Sequence, residues 1–450
     1  MRSGPADGAF PFRRKLAVGI GDFGLNFYWQ TAGLYLLFFY TDVLHLAPAT
    51  AGLIYMIALV WDAALDPVIG LMVDRTSSRH GRYRPYLLYA APATALGFLA
   101  LFVAPSAPAA SAALVAGATH FAFRTLYALT SVPYAAMTAR VTRDAAIRAD
   151  ITGVRMVSAA SAAILVATLT LPLATAAGGG RRGWMIVALV YAVIATATLL
   201  WCARATRELD LPTLAEPPAP PLGAKLSATA RNWPLLLVLA ALTIATFTAT
   251  IFQKCLLYYF KYVVGDASLG GAALGVSAAT TAVCIPVFTL IARRWGKRRA
   301  WLIGTVPTLV GLVLWRLADG HGTPALLGAL AVMAAGSAAY YVSFWAILPD
   351  TVEFAEWQSG TRTESFVFGL AMLGQKASLG IGAGLLGVLL AQIGYVADAH
   401  QTPQTIAGLK ATMFWFPFIG TIVVAALISR YPITPARHAE LVADIQARTA

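Results

Sequence analysis

Two aspartates give the sequence its first chemical hint. Asp62 and Asp66 stand within Trp61-Asp62-Ala63-Ala64-Leu65-Asp66-Pro67, inside an apolar run from about 51 to 73 that is long enough to cross a bilayer as one helix. Four residues apart, they share a helix face. Each carboxylate near the centre of such a span costs about 2.5–3.5 kcal/mol on insertion scales. In low dielectric the two also repel, which suggests a site for a cation that can be taken up and released. Pro67 follows at once and withdraws a backbone donor, which is expected to loosen that turn. The pair predicts a cation-coupling site within a membrane, with a proton or a sodium ion at Asp62 and Asp66 as the coupling ion and no other cofactor. Lys376, also inside an apolar run, would compete with that ion if it approached the pair.

Other polar residues sit where hydrocarbon is expected. Asp22 and Asn26 are four apart in the first apolar run, as are His120 and Arg124 in the fourth. Arg155, Lys254 and Lys376 lie in the fifth, seventh and eleventh. Once the acids hold a proton, the bases outnumber them. That surplus suits a substrate bearing a carboxylate, sulfate or phosphate, which arginine forks grip in bidentate fashion; a neutral glycoside is the competing expectation. The plain structural reading has Arg124 paired with Asp22, and Lys254 reaching for an interface. Tyr28, Trp29, Tyr127, Tyr340, Tyr341, Phe344 and Trp345 are the aromatic candidates for packing on a sugar ring. Tyr341 and Trp345 share a helix face. The six histidines are scattered, with no nucleophile, base or metal set beside them, so an enzyme is not expected.

The elements that must position these groups follow from composition. The 450 residues are 59% hydrophobic and only 12% charged, with mean hydropathy +0.70; a soluble surface needs about a quarter charged residues. An all-α membrane protein with twelve spans is expected, at about 16–40, 50–73, 85–104, 110–138, 151–175, 184–203, 234–262, 270–292, 300–318, 324–348, 364–394 and 410–429. The longest polar break contains Glu216-Pro217-Pro218-Ala219-Pro220-Pro221, which cannot continue a helix. It divides the chain into a six-helix bundle over 1–203, a linker over 204–233, a second six-helix bundle over 234–430 and a tail over 431–450. The net charge of +13 gathers in alternate loops: Arg75, Arg79, Arg82 and Arg84; Arg140, Arg143 and Arg148; Arg204, Arg207, Lys225 and Arg231; Arg293, Arg294, Lys297, Arg298 and Arg299. Arg181-Arg182 is the exception. This places those loops and both termini in the cytoplasm, in an inner membrane. These basic residues set topology, and no nucleic-acid binding is expected. Cys202, Cys255 and Cys284 all lie in apolar segments, as small buried hydrophobes do. A monomer is expected.

The two halves echo one another. Gly70-Leu71-Met72-Val73-Asp74-Arg75 and Arg79-His80-Gly81-Arg82-Tyr83-Arg84 follow the second span. Arg293-Arg294-Trp295-Gly296-Lys297-Arg298-Arg299 fills the matching place after the eighth, as an internal repeat would. These loops resemble those of the major facilitator superfamily, which implies a gate in which Asp74, Arg75 and Arg82 hold helix ends together in one state. After the tenth span an acidic loop, with Asp350, Glu353, Glu356 and Glu364 around Arg362, is expected to pair with basic loops of the other half. Gly380-Ile381-Gly382-Ala383-Gly384 is expected to permit close helix approach.

A more specific resemblance rests on stretches spread nearly end to end. They are Gly21-Asp22-Phe23-Gly24, Phe39-Tyr40-Thr41-Asp42-Val43-Leu44, Trp61 to Pro67, Arg79 to Pro85, Tyr258-Tyr259-Phe260, Pro349-Asp350-Thr351-Val352-Glu353 and Gln375-Lys376. Together they are similar to the glycoside–pentoside–hexuronide:cation symporters, the melibiose permease family. The resemblance implies a major facilitator fold of two pseudo-symmetric halves and alternating access. It implies symport of a glycoside, pentoside or hexuronide, with Asp62 and Asp66 as cation ligands, Lys376 as the coupling lysine and Arg155 near the sugar. Sugar-gripping aspartates of the family correspond to Asn26 and Ser131 here, and its sugar-stacking tryptophan to Ala135. Two oxygen ligands associated with sodium are replaced by Leu65 and Ala128, which favours a proton over sodium and argues against melibiose itself. The alternative is a carrier of a lysolipid or another anionic amphiphile, which this branch of the superfamily also contains.

Overall fold

A computed structural model describes residues 11–76, 78, 81–103, 108–138, 141–142, 145–206, 222–360 and 364–449. Arg79, His80, Arg140, Arg143, Arg207, Arg362 and the Glu216–Pro221 stretch fall outside them, as do the side chains of Asp74 and Lys225. The chain divides into two compact units, Met1–Thr213 and Leu214–Ala450. Each is all-helical over its described residues.

The first unit comprises α1 (Phe12–Gly19), α2 (Gly21–Asp42), α3 (Pro48–Asp74), α4 (Arg84–Leu101), α5 (Ala109–Thr138), α6 (Ala145–Ala176) and α7 (Gly180–Ala205). The second comprises α8 (Leu222–Arg231), α9 (Trp233–Tyr259) with a π-helical turn at Phe260–Val264, α10 (Ser268–Trp295), α11 (Lys297–Ala318), α12 (Thr323–Ser359), α13 (Glu364–Gln392), α14 (Pro403–Ser429) and α15 (Pro435–Thr449). Twelve of these helices, α2 to α7 and α9 to α14, have 18 or more residues. Nine are apolar enough over their length to cross a membrane on composition alone. The other three are α2, α4 and α5. Two of them carry intramembrane polar groups: Asp22, Asn26 and Gln30 on α2, His120 and Arg124 on α5. Outer faces expose Val68, Leu71, Leu96, Leu114, Val193, Val283 and Leu290, as a lipid-facing surface requires.

Several boundaries differ from the sequence reading. The first apolar run is not one helix: it breaks at Ile20, between α1 and α2. α3 runs unbroken through Pro67, so the proline removes the donor to the Ala63 carbonyl without ending the helix. The linker contains a helix of its own, α8. Asp350, Glu353 and Glu356 lie on the last turns of α12 and not in a loop, because that helix absorbs Pro349 as α3 absorbs Pro67.

In the first unit α5 packs against both α3 and α4, and α2 against α6 and α7. Its interior is aromatic: Tyr28, Phe98 and Phe123 are in mutual ring contact, and Phe102 stacks on Trp184 at 6.0 Å. In the second unit α12 is the longest helix and packs on α10 and α11, while α9 packs on α13 and α14. At one end of this unit Asp319, just past α11, receives the Tyr259 hydroxyl at 2.8 Å and the Lys410 ammonium at 2.7 Å. Burial alone would raise the Asp319 carboxyl, but Lys410 and Tyr259 outweigh it and the net shift is downward. A carboxylate depressed in the fold stabilises above its unfolded value, about 3.9, and that contribution is lost as pH falls through the lower folded value. Thermal unfolding of Asp319→Asn against wild type should therefore show a deficit at neutral pH that closes below about pH 4.

Candidate cation and substrate site

α5 presents one stripe of functional side chains: His120, Arg124, Tyr127, Ser131 and Tyr134 recur at intervals of four, three, four and three. That spacing keeps them on a single face. The stripe meets two carboxylates at two levels.

At the upper level Arg124 and Asp62 are both fully buried, 1% and 0% exposed, with Nη1 3.9 Å from Oδ2. Arg124 Nε donates to His120 Nε2 at 3.3 Å. The guanidinium lies 5.2 Å from the Trp29 ring centre, and Trp29 stacks on Tyr127 at 5.8 Å. His120 is itself edged by Tyr40 and Tyr55. Asp66, half-buried, follows Asp62 by one turn of α3. Trp61 anchors the same turn, its indole N–H donating to Thr125 Oγ1 on α5 at 3.0 Å. Asp62 and Asp66 place two carboxylates within one turn of α3, with the Arg124 guanidinium at Asp62. The residues corresponding to missing sodium ligands, Leu65 and Ala128, offer no side-chain oxygen.

At the lower level Arg155 Nε donates to Asp22 Oδ2 at 2.5 Å. Arg155, not Arg124, is therefore the partner of Asp22. The reason is distance along α5: Arg124 stands ten residues, about 15 Å of helix rise, from Tyr134, which touches Asp22. The Tyr134 hydroxyl accepts the Asp22 backbone N–H at 3.1 Å and donates to the Val18 carbonyl at 3.0 Å. Arg155 lies over the Tyr134 ring at 5.1 Å. Tyr134 thus fills the break between α1 and α2 and aims both members of the ion pair, a role the sequence reading missed although the stripe's spacing passes through it. Asn26 Nδ2 donates to the Asp22 carbonyl at 2.8 Å, which ties that amide to its own helix. Ser131 is half-buried one turn before Tyr134. Removing the hydroxyl in Tyr134→Phe strands the Asp22 N–H and a carbonyl, so a loss of about 1–3 kcal/mol is expected in detergent unfolding measurements.

Tyr28 is structural: it is fully buried, and its hydroxyl lies 3.3 Å from Thr196 Oγ1. Of the gating candidates in this unit, Arg75 is exposed and Arg82 half-buried. Neighbouring Arg84 donates from Nε to the Ala203 carbonyl at 2.7 Å, near the end of α7.

In the second unit Lys254 is buried on α9 and Lys376 half-buried on α13. Tyr341 is 44% exposed on α12, and Trp345 lies one turn on, stacked against Phe368 and edged by Phe344. Tyr340 is held by Thr246 at 2.9 Å. The acids at the end of α12 have partners within their own unit: Lys297 donates to Asp350 Oδ1 at 2.6 Å, and Glu353 meets His438 of α15. Glu356 is half-buried on the next turn.

Long apolar helices in two units, with charged pairs buried among them, define a multi-pass membrane transporter of the major facilitator fold. The nucleoside transporter NupG matches that fold with TM-score 0.66 at 11% identity, covering 94% of this chain and 100% of its own. The family model described as MFS/sugar transport protein matches residues 17–435, and the chain belongs to that family. The isoprimeverose transporter of Lactiplantibacillus pentosus is 28% identical over 446 residues, covering 98% of this chain and 92% of its own length. The glucuronide carrier protein homolog of Escherichia coli is 27% identical over 445 residues, covering 97% and 96%. The protein is a transporter and not an enzyme.

Proposed function

We propose that this protein is a cation-coupled symporter of a glycoside, pentoside or hexuronide, working by alternating access from an inner membrane with both termini in the cytoplasm. The observation that carries the reading is the buried Asp62–Arg124 pair with Asp66 one turn away. A second carboxylate one turn from an acid already held by Arg124 gives a cation a place to bind and, because Arg124 belongs to the same helix as Tyr127 and Ser131, a route to the substrate region. A proton is favoured over sodium, since neither Leu65 nor Ala128 supplies an oxygen.

The substrate is assigned to the lower level of the first unit, at Asp22, Asn26, Ser131 and Arg155 with Tyr127 and Arg124 above. Lys254, Tyr341, Trp345 and Lys376 are the candidates of the second unit by itself, on α9, α12 and α13. Arg155 is held by its Nε on Asp22, which orients a guanidinium fork suited to a carboxylate on a sugar ring. A relative named a glucuronide carrier protein homolog and one named an isoprimeverose transporter support a sugar or sugar-acid substrate.

Uptake into proteoliposomes tests the proposal, using neutral glycosides and uronides with pH and sodium gradients imposed separately. Accumulation driven by the pH gradient and lost in Asp66→Asn is the expected outcome. Uptake indifferent to both gradients rules out coupling, and sodium-driven uptake reassigns the ion.

A further inference from the structure

The tail helix α15 docks on the end of α12 through a cluster of charged side chains. His438 Nε2 sits against Glu353 Oε2 and 3.5 Å from Asp350 Oδ1. Lys297 Nζ, from the turn between α10 and α11, holds Asp350 at 2.6 Å. Beside this centre Arg437 lies over the Trp357 ring at 5.3 Å, and the Trp357 indole N–H donates to Asp444 Oδ2 at 3.0 Å. Arg298 donates to the Tyr431 carbonyl at 3.1 Å and to the Ser429 carbonyl, fixing the segment that leads into α15. Pro435 abuts Gly296, whose φ of +89° leaves no room for a larger residue to turn there.

We propose that α15 is a proton-dependent latch: protonated His438 locks the tail across Asp350 and Glu353, and loss of that proton releases it. The charges argue for it. Asp350 and Glu353 carry two negative charges and Lys297 one positive, so one negative charge remains for His438 to neutralise. A protonated imidazole does so, while a neutral one supplies a hydrogen bond and no charge. Histidine is the side chain that changes charge between about pH 5 and 8, and His438 is 31% exposed, so protons reach it. The other charged groups nearby are engaged elsewhere: Arg437 with Glu440 at 2.8 Å and with Trp357, Asp444 with Trp357, and Arg298 with backbone carbonyls. Burial, and then the two carboxylates, push the Tyr431 phenol up, so it stays neutral across this range. The Lys297 ammonium stands where a divalent cation would need to approach Asp350, which favours a proton over a metal as the latch.

The sign follows from linkage. Docking is strongest when His438 is charged, so it tightens as pH falls and weakens as pH rises, by at most about tenfold per pH unit for one linked proton. The effect on transport, though not the docking, rests on the proposed gating role of Asp350 and Glu353. A docked tail keeps both acids occupied and should slow turnover when the cytoplasm is acid.

Hydrogen exchange of the α15 amides in the full-length protein in nanodiscs, corrected for intrinsic rates, reads docking directly. Wild type should lose protection as pH rises from about 5 to 8. His438→Gln should be flat and low, and His438→Arg flat and high. A wild-type profile that does not change with pH, or a slope that survives in His438→Gln, overturns the latch. Protection that needs zinc and vanishes with chelator overturns it in favour of a metal clamp. Uptake into liposomes with an acidic compartment facing the tail should be faster for His438→Gln than for wild type. Equal rates with altered protection overturn the regulatory half of the proposal.

Discussion

Asp62→Leu and Arg124→Leu, each alone, are expected to destabilise the protein by about 3–5 kcal/mol, because each leaves its buried partner without the opposite charge 3.9 Å away. Neither site offers solvent as a substitute: Asp62 is 0% and Arg124 1% exposed. The double substitution is expected to recover most of the loss, since two leucines in place of a buried pair are often neutral. The separation of 3.9 Å sharpens the point. Coulomb attraction across that gap acts without a close hydrogen bond to add to it, so the pair contributes little net stability while either half alone is costly. Coupling should behave differently. All three variants are expected to lose gradient-driven accumulation, because each lacks at least one member of the buried pair beside Asp66. Thermal unfolding in detergent together with uptake separates the two effects. A double variant that unfolds as easily as the singles, or that still couples, would show that Arg124 is not the counter-charge of Asp62.

Gly336→Val should prevent the second unit from assembling. A Cβ at Gly336 would meet the Gly304 carbonyl oxygen at 2.4 Å and the Thr308 backbone nitrogen at 2.6 Å. Reciprocally, a Cβ at Gly304 would meet the Gly336 carbonyl at 2.7 Å and the Ala339 Cβ at 2.2 Å. α11 and α12 therefore touch backbone to backbone, as small residues permit in membranes. Overpacking is typically destabilising by about 1–3 kcal/mol, occasionally more. Here the obstructing atoms are main chain and cannot rotate away, which puts valine at the upper end and alanine lower on the same scale. Gly328 supplies the control on the same helix. A Cβ there meets nothing within 4 Å, so Gly328→Ala should be neutral or stabilising by up to about 1 kcal/mol from helix propensity. Yield and monodispersity after detergent extraction, then thermal unfolding, distinguish the two sites.

The carboxylate face of α3 and the stripe on α5 were legible because helical spacing is written into the chain. Which charge meets which was not. Arg124 could be placed on a face by counting, but its neighbour depends on how α5 lies against α3, and the guess of Asp22 failed by about three turns. The break at Ile20 was hidden for a related reason. The apolar run continues across it, and the group that satisfies the broken backbone, Tyr134, is 112 residues from Asp22. Glycines give the same lesson. The conspicuous run Gly380 to Gly384 does yield an approach: a Cβ at Gly382 would lie 3.1 Å from the Phe247 carbonyl. The tighter contact belongs to Gly304 and Gly336, two isolated glycines that no local motif marks. Likewise the acids at the end of α12 were read as a loop, whereas the helix runs on through Pro349 to Ser359.

Tyr134 has one more consequence. Arg124 and Tyr134 are mounted on a single rigid rod, separated by about 15 Å of rise. A rotation of that rod by about 5° about the Arg124 end displaces the Tyr134 hydroxyl by about 1.3 Å, enough to carry a 3.0 Å hydrogen bond past its useful range. Neutralising Asp62 is expected to loosen the hold of α3 on Arg124, and a lengthened contact of Tyr134, on the same helix as Arg124, with Val18 and Asp22 is the consequence to measure.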